Sequence, residues 1–188
     1  MIIAGMGALE EIDMKKIVAL STLRQLGLII SAIGSLNWAV AYFHIITHAF
    51  AKAVLFMRVG NLIHRSNDYQ DLRRSRISVA NIPYGASLLI CTNLRLRGFP
   101  FFAGFYSKDI WLESAPLGRF PIFIYLIFFG AVVITVLYST RFIFFLLIRN
   151  VETLTLNSEM DDSKFSGDTN YPLLRLWVTS LFSGARLR

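Results

Sequence analysis

The length of its uninterrupted apolar runs constrains this chain more than any other feature. Ile17 to Leu36 forms one run and Trp38 to Ile63 a second, joined by a very short turn. Phe120 to Ile148 forms a third, rich in aromatic residues. A helix on a soluble core is apolar along one stripe only, whereas these runs are apolar nearly all round. Runs of about 18 or more such residues read as membrane-spanning helices. Composition agrees: 55% of the 188 residues are hydrophobic and 16% are charged, against roughly a quarter charged in a soluble domain.

Polar segments separate the runs. Glu10, Glu11, Asp13, Lys15 and Lys16 precede the first. A loop over residues 64–81 follows the second, with Arg65, Asp68, Asp71, Arg73, Arg74 and Arg76 between His64 and Ser78. Residues 149–170 crowd Ser, Asp, Gly and Thr together and read as an extramembrane loop. Leu173 to Ala185 looks like a further, partial span. If the spans alternate in direction, the three charged loops share one face and the turns near Leu36 and Leu117 share the other. The positive-inside rule expects that asymmetry. The formal charge of +7 therefore reads as topology and not as a nucleic-acid surface. Its basic residues are scattered, several inside apolar runs that no polyanion could reach. The single cysteine, Cys91, excludes an internal disulfide. Met1 leads into apolar and small residues as though already within a helix, with no signal-peptide pattern. The expected fold is all-α: a polytopic transmembrane helix bundle forming a single membrane domain over residues 1–188, with about four complete spans and partial ones.

Ile82 to Ala115 is apolar but too long for one straight crossing. It would extend about 50 Å as a helix, against a hydrocarbon core of about 30 Å. Gly98 and Pro100 stand in its middle, with Gly104 close behind. Proline removes a backbone donor and clashes with the preceding turn, so the spacing predicts a discontinuous helix broken near Gly98 and Pro100. At membrane depth such a break is tolerated only inside protein or beside a polar cavity, and transporters use breaks to build ion sites.

Two groups of ionisable residues lie in these spans. Lys108 and Asp109 follow the break directly. Desolvation disfavours the charged form of a lysine, so a buried one can take up and release a proton, and a neighbouring carboxylate can tune it. The alternative is a lysine near the interface that snorkels to water. His44, His48 and Lys52 recur at spacings of four, which keeps each within about 40° of the one before on a single helix face, about 6 Å apart per step. Such a line can relay protons through intervening water. The two histidines also have zinc-ligand spacing, but Ala49 stands where a zinc-protease motif carries glutamate. Ser21 and Thr22 are expected to bond back to their own helix, Glu113 to face water, and Phe142, Phe144 and Phe145 to pack or face lipid.

Several motifs in order carry a resemblance. The stretch from Asp13 through Met-Lys-Lys-Ile-Val-Ala-Leu-Ser to Thr22, followed by Gln25-Leu-Gly27, resembles a segment shared by the antiporter-like membrane subunits of complex I, the NADH–ubiquinone oxidoreductase. His44 to Met57, Gln70 to Arg73, Gly98 to Asp109 and Tyr138 to Arg141 are similar to the chain 5 family in particular. The resemblance covers about residues 1 to 148 and weakens beyond. It implies a proton-translocating subunit of the membrane arm in the mitochondrial inner membrane. It also implies partner membrane-arm subunits and no cofactor in this chain: NADH, FMN, iron–sulfur clusters and ubiquinone would be bound by other subunits. His44, His48 and Lys52 would belong to a central polar axis, and Lys108 with Asp109 to the exit half-channel. Family members have further helices before this segment, including another broken helix and a glutamate–lysine pair, and a lateral helix and anchor beyond it. The stretch alone would not complete a proton path. Multi-subunit cation/proton antiporters share the motifs, and a nonfunctional or purely structural fragment is the reading from a different class.

Arg24, Arg58, Arg95 and Arg97 depart from the family, which commonly has serine or another small residue there. Each arginine at a helix centre would cost about 2.5–3.5 kcal/mol on insertion scales. Arg95 and Arg97 stand two apart, so they project from different faces and share a partner with difficulty. One hypothesis covers all four: AGA and AGG are read as serine in many invertebrate mitochondria but as arginine in the standard code. Arg186 and Arg188 would share that origin, and most of the net charge would vanish. The alternative is genuine arginines that snorkel or contact partner subunits. Peptide mass spectrometry of the native protein across Asn93 to Lys108 decides between them, since arginine at both 95 and 97 ends the serine reading.

Overall fold

The computed structural model of the chain describes residues 1–66, 68–73, 83–100, 102–117, 122–148, 171 and 174–179. Six α-helices follow in order among them: α1 (Ile2–Glu10), α2 (Met14–Gly34), α3 (Trp38–Arg65), α4 (Pro83–Arg97), α5 (Ala103–Leu117) and α6 (Ile122–Ile143). A π-helical turn, Phe144–Ile148, extends α6, and residues 174–179 are helical. The polar loop over 149–170, most of the partial span over 173–185, Arg74, Arg76, the Glu113 side chain, Arg186 and Arg188 lie outside what is described. Among the described residues there is no strand, and the all-α expectation holds.

Among the described residues, three helical stretches are long and apolar enough to cross a membrane: Met14–Gly34, Trp38–His64 and Tyr125–Leu146. The helices α4 and α5 have 15 residues each, about 22 Å apiece, so neither crosses the hydrocarbon alone. Between them Gly98, Phe99, Pro100 and Phe102 are non-helical. This is the discontinuous helix that the sequence predicts. Helix α3 is central, packing on α2, α4 and α5, while α1 lies between α2 and α6.

Burial runs opposite to that of a soluble protein. Ile30, Phe123 and Leu126 are 68%, 68% and 60% exposed, and they meet lipid without penalty in a bilayer. Inside, Met14, Val54, Ala131 and Leu146 are fully buried beside Ser21, Gln25, His44, Thr47, Lys52, Thr92, Asn93, Ser107 and Lys108. Polar groups turned toward the bundle interior are what a hydrocarbon surround enforces, because there they can bond to protein.

The break itself is a helix stop of a known kind. The Gly98 N–H donates to the Arg95 carbonyl at 3.1 Å and the Phe99 N–H to the Leu94 carbonyl at 3.1 Å. That pair is the Schellman motif, which needs a left-handed residue after the cap. Gly98 supplies it with φ of 84°. Pro100 follows the stop and keeps the helix from resuming, so the glycine ends α4 and the proline consolidates the end. The α2–α3 turn closes in the same manner, with Leu36 N–H to Ile33 carbonyl at 2.9 Å and Asn37 N–H to Ala32 carbonyl at 3.2 Å. There the left-handed residue is Leu36, at φ 61°.

At the opposite end of the hairpin, the Met14 N–H donates to the Gln70 carbonyl at 3.0 Å and the Leu72 N–H to the Ile12 carbonyl at 3.1 Å. Asp13 and Asp71 form an antiparallel bridge. The charged stretch before α2 and the start of the loop after α3 therefore lie on one face, as alternating spans require.

Candidate functional site: a buried row of protonatable side chains

Successive turns of α3 place His44, His48 and Lys52 toward the bundle interior. His44 and Lys52 are buried and His48 is half-buried. The two imidazoles stack with centroids 6.0 Å apart and planes at 29°, the separation that one helical turn dictates. Among the described residues no group of three His, Cys, Asp or Glu side chains gathers around them as a metal site would require. The Nζ of Lys52 donates to the Val18 carbonyl at 3.2 Å and to Ser21 Oγ. Ser21 also bonds back to Val18 at 2.7 Å, as its sequence context predicts, but its contact with Lys52 is legible only in three dimensions.

Lys108 comes from the other side of the row, one turn into α5. It is 6% exposed, so it does not snorkel to a surface of this bundle. Its Nζ donates to the Leu96 carbonyl near the C-terminus of α4. A terminal carbonyl that no helical N–H can reach is thus met by the lysine across the break. The end of a helix also carries partial negative charge, which favours a cation there. Gly104 permits this arrangement: a Cβ on it would overlap the Arg95 carbonyl oxygen. Asp109, the next residue, is half-buried and projects about 100° away around the helix. Lys108 and Asp109 therefore face different surroundings.

Two neutral residues complete the site. Gln25 of α2 places Oε1 3.3 Å from His44 Nε2, and Ser107 of α5 places Oγ 3.1 Å from His44 Nδ1. One cavity is lined by Gln25, His44, Thr47, His48, Ala51, Arg95, Leu96, Gly104, Ser107 and Lys108. It brings His44, His48 and Lys108 together, while Lys52 lies one turn along the row.

The four arginines all reach into protein. Arg24 is 1% exposed; it donates to the Ala131 carbonyl of α6 and lies 6.0 Å from the Tyr138 ring. Its Nε and Nη1 make no hydrogen bond. Arg58 lies 5.1 Å over the Tyr84 ring. Arg95 donates to the Thr47 carbonyl of α3 at 3.0 Å, and Arg97 to Ser139 Oγ of α6 at 2.7 Å. Their opposed directions are those that a two-residue separation imposes.

A family profile described as "NADH:quinone oxidoreductase/Mrp antiporter, TM" matches residues 1–135. The chain belongs to this family. Within it, NADH-ubiquinone oxidoreductase chain 5 of Aedes aegypti is 38% identical over 187 residues, a match that takes in 100% of this chain and 32% of that protein. The chain 5 of Ceratotherium simum is 42% identical over 182 residues, covering 94% of this chain and 29% of that protein. The chain thus spans about a third of the length of these relatives. Among solved structures, one of the Mrp complex from Dietzia sp. DQ12-45-1b superposes with a TM-score of 0.72 at 20% identity, over 98% of this chain and 42% of that one. That likeness establishes the antiporter-like fold. Family membership and the apolar helices together make this a membrane protein.

Proposed function

We propose that this chain is part of a proton-translocating membrane-arm subunit of NADH:ubiquinone oxidoreductase, an enzyme to which it contributes no redox site. The observation that carries the reading is the buried row itself. His44, His48 and Lys52 on one helix face meet Lys108 across a helix break, inside a bundle whose exterior is apolar. Burying four protonatable groups is costly, and membrane proteins keep them where charge or protons move. The identity to chain 5 proteins supports the choice of enzyme. The subunit would sit in the mitochondrial inner membrane among other membrane-arm subunits, while NADH, FMN, iron–sulfur clusters and ubiquinone would be bound by other subunits of the complex. Residues 1–188 would act as one membrane domain. Protons would pass along His44, His48 and Lys52 and leave through Lys108, with Asp109 biasing the lysine from its flank. Redox energy released elsewhere would shift the local charges.

The test is Lys108→Met in the full-length subunit of the assembled complex. The expected result is a fall in protons pumped per NADH oxidised with assembly intact; normal pumping in the assembled variant overturns the role of Lys108. A second reading, a subunit of a multi-subunit cation/proton antiporter, is favoured by the structural likeness to the Mrp complex. Inhibition of its transport by a quinone-site inhibitor supports the oxidoreductase, and insensitivity supports the antiporter. A chain absent from every high-mass complex with NADH dehydrogenase activity would instead be a nonfunctional fragment.

A further inference from the structure

The three buried bases of the row that make hydrogen bonds are held in two different ways. Lys52 and Lys108 are held by acceptors: the Val18 carbonyl with Ser21 Oγ, and the Leu96 carbonyl. A carbonyl can only accept, so it always finds a donor in an ammonium group. His44 is held differently. Both of its ring nitrogens face groups that can donate or accept: the Gln25 side-chain amide on Nε2 and the Ser107 hydroxyl on Nδ1. These two groups come from α2 and α5, two helices that each pack on α3. Ser107 Oγ also has a second partner, the Gly104 carbonyl at 3.3 Å.

The consequence follows from counting hydrogens. With the proton on Nδ1 only, Ser107 Oγ accepts it, its own hydrogen lies on the Gly104 carbonyl, and the Gln25 NH₂ donates to bare Nε2. When a second proton passes from the His48 imidazolium to Nε2 through the cavity the two rings share, the Gln25 amide rotates and Oε1 accepts from Nε2–H. When the proton on Nδ1 then passes to the neutral amine of Lys108, which lines the same cavity, the Ser107 hydroxyl turns and donates to bare Nδ1. One proton has come from the α3 row and one has gone to Lys108, and the imidazole has not moved. A carboxylate or a backbone carbonyl at either nitrogen would instead fix one tautomer.

We propose that Gln25 and Ser107 are positioning residues that make His44 a junction able to carry its proton on either ring nitrogen or on both. The inference rests on the reading that this chain moves protons. Ser107 directly precedes Lys108, and the His44 ring stacks on His48, so the junction lies between the lysine of the break and the row on α3. The ionisable groups that line its cavity are His48 on its own helix, Lys108 on α5 and Arg95 on α4, with Lys52 two turns along α3 and Arg24 next to Gln25 on α2. Gln25 and Ser107 are the uncharged members of the set.

The experiment uses the full-length subunit in the assembled complex and measures pumped protons per NADH oxidised across a pH series. Ser107→Ala removes the hydroxyl with little change of volume, and Gln25→Met removes the amide at similar size. Each is expected to cut pumping roughly tenfold, the effect of losing one hydrogen bond to a group that becomes charged, and to alter the pH profile. Ser107→Thr keeps a hydroxyl and restores both. Wild-type pumping with an unchanged profile in the assembled Ser107→Ala complex overturns the proposal, as does loss of pumping in Ser107→Thr equal to that in Ser107→Ala. Lys108→Met, run in parallel, separates the levels. If it pumps normally the proton-path reading fails, and if it alone fails to pump only the junction is wrong.

Discussion

The chain stops a membrane helix twice with the same pair of hydrogen bonds, and the two stops do opposite things. At Leu36 the stop reverses the chain, so that α3 runs back against α2. At Gly98 it leads over five residues into α5, which begins beside the end it has just left. The turn carries a leucine in the left-handed region, a conformation that costs an L-residue roughly 1–2 kcal/mol, and Leu36 is 75% exposed. The break carries a glycine, which adopts the conformation freely. The difference teaches where the fold tolerates strain. A reversal at the edge of the bundle survives with a strained residue. The break is unstrained at its left-handed residue, and it places Gly104 against the Arg95 carbonyl and Lys108 against the Leu96 carbonyl.

Substitutions sharpen that contrast. The largest effect is expected from Gly104→Val, which drives a branched side chain into the α4 carbonyl end. A loss of about 3 kcal/mol, the upper part of the usual overpacking range, should appear as depleted or heat-labile assembled complex; wild-type melting would show that α5 does not approach α4 so closely. Gly98→Ala should cost about 1–2 kcal/mol through its φ. Its Cβ makes an ordinary contact with Lys108 Cδ, at 3.5 Å, so pumping per assembled complex should be unchanged. An alanine variant that melts normally would remove the requirement for a left-handed residue there. The smallest effect, of opposite sign, belongs to Leu36→Gly. Relief of the left-handed strain less the added flexibility of glycine leaves a gain of about 0.5–1 kcal/mol, with pumping unchanged. A lower melting temperature would mean that Leu36 packs on something outside the described residues.

The break was legible in the sequence because two helix-stopping residues interrupt a run that is otherwise too long. Its cause was less so: proline is conspicuous, but the hydrogen bonds assign the stop to Gly98 and leave Pro100 in support. The α3 row was legible because three ionisable residues at spacings of four are rare in an apolar span. Gln25 and Ser107 were not. A neutral polar residue in such a span normally bonds to its own helix, as Thr22 does to the Ala19 carbonyl at 2.5 Å. Nothing local marks one that instead reaches a histidine from another helix. Lys108 and Asp109, neighbours in sequence, lie about 100° apart around α5, a divergence that adjacency alone does not display. The arginines read as misplaced charges. The structure gives Arg95 and Arg97 places in the last turn of α4, where the helix dipole favours cations, whereas Arg24 lies mid-way along α2 in the interior.

The clasp between residues 12–14 and 70–72 has a consequence for the order in which the bundle assembles. With the turn at Leu36 closing one end and the clasp the other, α2 and α3 form a closed loop of chain that requires nothing C-terminal to Leu72 for its backbone ties. Such a hairpin can dock within itself as it leaves the insertion machinery, and it then presents the Lys52 face as a ready template on which the two half-length helices settle. Amide hydrogens of α2 and α3 should accordingly exchange last.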